Sequence, residues 1–192
     1  MKRYWSLFIP IVLALTWVGL PSAPAGAGGQ STTVEFGFAP STSRATNGDT
    51  IEILGVGTFT LQPKTVSGEA PNVTAAFGEV PRLFTHRNAE GTVLAQGRWQ
   101  PTAVLSYRSY GPATPEQDEK FGGLPPGTEG GKLRLKIALY VDGAQVDTGV
   151  LTVDCLLGMP PKNAEESVLL VLQDAGIDFT QPVHGDSVFI RH

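Results

Sequence analysis

The stretch KLRLKIALYVDGAQVDTGVLTVDC, Lys132 to Cys155, decides the fold class. In its first ten residues Leu133, Leu135, Ile137, Leu139 and Val141 share one face, while Lys132, Arg134, Lys136 and Tyr140 share the other. A period of two puts one face of a strand in a core and the other in water. Asp142-Gly143 then supplies the two positive-φ positions of a tight hairpin turn. If Val141 pairs with Ala144, Leu139 faces Val146, yet the later apolar set is Leu151, Val153 and Cys155, of opposite parity. One extra residue at or near Gly149 restores the pattern, so a bulged, coiled hairpin is expected.

The flanking segments read the same way. TIEILGVGTFTL aligns Ile51, Ile53, Gly55, Gly57, Phe59 and Leu61, and TTVEFGF aligns Val34, Phe36 and Phe38. Between them APSTSRATNGD reads as a polar loop closing on an Asn47-Gly48 turn. In PTAVLSYRSYG, Ala103, Leu105 and Tyr107 oppose Val104, Ser106 and Arg108, and either side could face inward. GIDF and SVFIRH are short strands around a turn at His184-Gly185-Asp186. PPKNAEESVLLVLQDAG carries helix-start signals, but its continuous apolar run suits a buried strand over Ser167 to Gln173; a helix over 164–175 is the alternative. The Gly- and Pro-rich segment 111–131 reads as a long loop, of the kind that carries function or moves.

These elements predict a single all-β, antiparallel domain of about eight to ten strands over 28–192. The coiled hairpin and inner glycines favour a barrel resembling calycins over a two-sheet sandwich. Gly55, Gly57 and Gly97 at inner positions let a sheet bend, let a large ring lie against backbone, or leave room for a guest.

The chain opens with Lys2 and Arg3, an apolar run from about Trp5 to Leu20 and a small-residue site ending at Ala27. That order predicts a signal peptide over 1–27, and thus a secreted or extracytoplasmic protein. The run is short for a membrane span, which needs about 20 residues. Without Lys2 and Arg3 the 14 basic residues fall to 12 against 18 acidic ones, a charge of −6. Such a balance disfavours nucleic acid and anionic membranes as partners. The single Cys155 excludes an internal disulfide, and its strand-like context predicts inert burial. Asn72-Val73-Thr74 fits a glycosylation acceptor where the pathway is eukaryotic.

Candidate chemistry centres on FTHRNAEGTVLAQGRW, Phe84 to Trp99. With NAEG as the turn, His86 lies opposite Val93 and Phe84 opposite Ala95, so His86 points inward and Arg87 outward. An inward imidazole needs a hydrogen-bond partner, because an unsatisfied buried group costs about 1–3 kcal/mol. The structural reading of His86 outweighs an acid/base or ligand-binding one. His184 and His192 do not share ligand spacing with it, so no metal or other cofactor is expected. Glu116, Asp118 and Glu119 read as a solvated acidic cluster in the long loop. No nucleophile elbow, phosphate loop or Cys/His pair is present.

GVGTFT, FTHRNAEGTVLAQGRW, GLPPGTEGGKLRL and LTVDCLLGMPP together resemble a group of exported bacterial proteins of unassigned activity. The stretch before Phe84 is longer here than the short Gly-rich link of that group. The resemblance implies an all-β, exported protein and supplies no catalytic residues.

Three functions follow as expectations. One is a non-catalytic exported protein binding a small apolar ligand in a barrel interior at Phe84, His86, Trp99 and Tyr107. Another is an extracellular or envelope interaction module acting through 111–131. The third is a barrel cyclase or isomerase using His86, to which AQGRW adds a faint similarity to dirigent-like barrels.

Overall fold

A computed structural model describes residues 31–67 and 73–192. The expected signal peptide and Asn72 of the glycosylation acceptor lie outside the described residues. Along the chain run β1 (Thr33–Ala45), β2 (Thr50–Leu61), β3 (Lys64–Val66), β4 (Val73–Thr74), β5 (Gly78–Glu79), β6 (Leu83–Arg87) and β7 (Val93–Pro112). A short helix, α1 (Pro115–Lys120), precedes β8 (Thr128–Val141), β9 (Ala144–Cys155), β10 (Ser167–Leu172), β11 (Asp178–His184) and β12 (Ser187–Arg191).

Ten of these strands form one antiparallel sheet, and β4–β5 makes a separate hairpin. β1, β2, β6, β7, β8, β9, β10 and β11 pair in that order, and β11 returns to β1. Eight strands thus close a barrel-like ring in up-and-down order, with β3 to β5 inserted between β2 and β6. The two-sheet sandwich gives way, because the inner faces meet across one continuous ring. β12 pairs with the first half of β1 and with Thr128 and Glu129 of β8.

The deciding hairpin forms as expected, with Asp142 at φ 51° and Gly143 at φ 82°. Its bulge lies nearer the turn than Gly149. Tyr140 pairs with Gln145 and Leu139 with Asp147, which leaves Val146 as the extra, exposed residue. Beyond it Leu133, Leu135 and Ile137 face Val153, Leu151 and Gly149 on the inner side.

β7 follows neither parity predicted for it. Trp99, Pro101, Val104 and Tyr107 pair with Leu139, Ile137, Leu135 and Leu133, in steps of two, three and three. Each step of three contains a bulge, and Leu105 is expelled from one of them to 40% exposure. Bulges let a twenty-residue strand bend around a closed ring.

Three other expectations are corrected. Most of the polar loop APSTSRATNGD belongs to β1, whose Ser41 and Ser43 are fully buried. These small hydroxyls continue the inner face without a hydrophobic signal. Segment 111–131 is not one long loop: β7 runs to Pro112, α1 carries Glu116, Asp118 and Glu119, and β8 starts at Thr128. In the Phe84 hairpin, His86 pairs with Ala95 and Phe84 with Gly97, and a register shift follows at Arg87. The apolar run SVLLVL is a strand, as predicted.

Candidate functional site

His86 points into the ring from β6. Its Nε2 lies 3.1 Å from the Asp49 carboxylate, and its ring meets Phe179 edge-on at 5.2 Å. Asp49 arrives there because the Gly48 turn reverses the chain between β1 and β2. Phe84 stands next on the same inner face, between Ile53 and Gly97.

Trp99 is fully buried further along, its indole N–H donating to the Leu54 carbonyl at 2.8 Å. Phe38 stacks on it at 5.8 Å, and the Arg82 guanidinium lies 5.6 Å from its ring centre. Arg82 also donates to the Val56 carbonyl at 2.7 Å, and burial lowers its pKa to about 10. A Cβ on Gly55 would come within 2.7 Å of the Trp99 ring, and one on Gly57 within 2.7 Å of Phe36. At these two positions the inner glycines accommodate aromatic rings of the protein itself.

Tyr107 lies at the far end of this face. It touches Phe59 and Phe189 at 4.9 and 5.3 Å and donates to Glu129 at 2.6 Å. Glu129 also accepts from Ser109 and twice from Arg191, so its buried carboxylate is well supplied with donors. Burial, then this carboxylate, holds the Tyr107 phenol well above its ordinary range. Trp99 and Tyr107 are eight residues apart on β7, roughly 20 Å or more of strand. The four candidate residues therefore do not converge on one small ligand; aromatic side chains from Trp99 through Phe38, Phe36 and Phe59 occupy the space between.

An apolar groove of about 830 Å³ lies elsewhere, outside the ring. Its floor is the outer side of β1 and β12, where Gly37 pairs with Val188. Phe77 and Val80 wall it on one flank; Phe121 and Leu124, following α1, wall it on another. Gly37 suits the floor because a Cβ there would sit 3.1 Å from the Phe77 ring.

α1 is fixed in place by its own sequence. The Thr114 hydroxyl accepts from the Gln117 backbone, and the Gln117 side chain accepts from the Thr114 backbone, a reciprocal cap. The same Gln117 oxygen accepts from the Gly158 N–H at 2.9 Å, tying the helix to the segment after β9. Phe121 consequently stays at the rim although it is 58% exposed.

Glu166 and Ser187 form the polar end of the groove. The Glu166 carboxylate accepts from the Leu156 N–H at 2.8 Å, the Ser187 N–H at 2.9 Å and the Ser187 hydroxyl. Burial raises its pKa, against the pull of those hydrogen bonds, and nearby Asp186 raises it further. No protein-family model, curated protein or solved structure matches this chain.

The groove was not foreseen from the sequence. Of the four candidate residues only Phe84 touches a described cavity, a polar hollow over β6 to β8 lined also by Gln96, Arg98 and Tyr140. The one local signal near the groove was T-P-E-Q at 114–117, a capping pattern inside the segment read as a loop.

Proposed function

We propose that the mature chain is an exported, non-catalytic protein that binds a small apolar ligand, in the groove between β12 and the α1 segment rather than inside the ring. The observation that carries this reading is the groove itself. Its volume falls within the roughly 300–1,000 Å³ typical of ligand pockets, and its walls are mostly aliphatic and aromatic. The interior is a weaker location because Trp99, Phe36, Phe38 and Phe59 already fill much of it with contacts among themselves.

Titration with a neutral environment-sensitive dye such as Nile red tests the reading. Saturable binding to one site is expected, and Val188→Trp, which places an indole on the groove floor, abolishes it while the melting temperature holds. Binding that survives Val188→Trp, or none at all, overturns the proposal.

The interaction-module reading keeps one specific support: Phe121 and Met159 stand 58% and 80% exposed near α1. Met159→Ser separates the readings, since Met159 does not line the groove: a partner surface loses capture while a ligand groove keeps its dye site.

A further inference from the structure

We infer that the groove takes an amphiphile whose head is a hydrogen-bond donor, an alcohol or an amine, seated on Glu166, and that it discriminates against carboxylate heads. This rests on the groove being the binding site.

The argument begins with what Glu166 already does. A carboxylate offers about four lone-pair directions. Three are taken, by the Leu156 N–H, the Ser187 N–H and the Ser187 hydroxyl. These contacts fix the side chain rigidly and leave acceptor capacity at a residue that lines the cavity. A preoriented acceptor at the end of an apolar channel selects for a donor on the guest, because an unmatched polar head there would go unpaired.

Charge points the same way. Asp186 lines the groove beside Glu166, so two acids stand at this end. A carboxylate head would meet them at close range in partly desolvated surroundings, where like charges repel strongly. Among the described residues Lys120 is the one basic residue in the lining. Its ammonium lies 5.6 Å over the Phe121 ring on the exposed side, where a pairing with an anionic head is weakened by water and salt.

Dodecanol, dodecylamine and dodecanoate, used below their micelle concentrations, share one tail and differ in the head. Near neutral pH, displacement of Nile red from the full mature protein should rank the alcohol and the amine at least about tenfold ahead of dodecanoate, a difference of about 1.4 kcal/mol. Glu166→Gln should shrink the preference for amine over dodecanoate. If Glu166→Gln does not fold, the wild-type ranking decides. Dodecanoate binding as well as the other two overturns the head-group inference and leaves the groove reading intact. Failure of all three to displace dye, or displacement indifferent to Val188→Trp, overturns both.

Discussion

The Asp49 carboxylate stands 3.1 Å from Nε2 of His86, with both side chains only 12% exposed. The pair joins the turn after β1 to β6 across the edge of the ring, and Phe179 of β11 covers the imidazole. His86 therefore ties β6 to the β1–β2 turn and to β11, and its inward direction follows from the alternation of Phe84 and His86.

Replacing His86 by Ala removes the ring that Phe179 packs on and leaves Asp49 without this partner. A loss of about 1–3 kcal/mol is expected from those two effects together. Urea denaturation of the purified variant measures it, and a stability within 0.5 kcal/mol of wild type, about the range of neutral surface changes, contradicts the structural role.

Gly97 faces a stricter limit. A Cβ there would lie 1.9 Å from the Tyr140 carbonyl oxygen and 3.2 Å from Phe84. Backbone cannot retreat as a flexible side chain can, so Gly97→Ala must separate β7 from β8 locally. We expect about 1–3 kcal/mol of destabilisation, with hydrogen exchange accelerated at Arg98 and Tyr140. Unchanged protection at those amides counts against the close approach.

The contrast between β8 and β7 explains what sequence reading can reach. From Lys132 to Ile137 β8 alternates exposed and buried residues without interruption, so Leu133, Leu135 and Ile137 announce their face directly. β7 inserts a residue between Pro101 and Ala103 and another between Val104 and Ser106, and each insertion reverses the parity that periodicity relies on. Ser41 and Ser43 were hidden for another reason: buried hydroxyls look like loop residues. The groove was less legible still. Gly37, Phe77, Phe121, Glu166 and Val188 are scattered over some 150 residues, and no local spacing links them. Only the closing of the ring and the docking of α1 through Gln117 bring them together.

Cys155 should be chemically silent. It is 1% exposed, its thiol donates to the Ser187 carbonyl at 3.1 Å, and burial pushes its pKa up to about 12. At neutral pH the thiolate is roughly one part in 10⁵, and the thiolate is the reactive form. Ellman's reagent should find no thiol in the folded protein and one per chain in denaturant. Rapid reaction of the native state would contradict the burial.

Glu166 gives the stability a pH dependence of predictable sign. Burial holds its pKa above the ordinary 4.5, so the folded chain binds its proton more tightly than the unfolded chain does. Between 4.5 and that raised value the folded state carries more protons, and stability must fall as pH rises through the window. Its contribution is most favourable at lower pH, opposite to that of a salt-bridged acid. Glu166→Gln has no proton to lose, so wild type should lose stability relative to the variant as pH is raised from 4 toward 8. Urea midpoints converted to free energies for both proteins across that range give the comparison. A difference that stays flat with pH shows that the three donors to the carboxylate balance its desolvation, and one that grows in favour of wild type shows that they outweigh it.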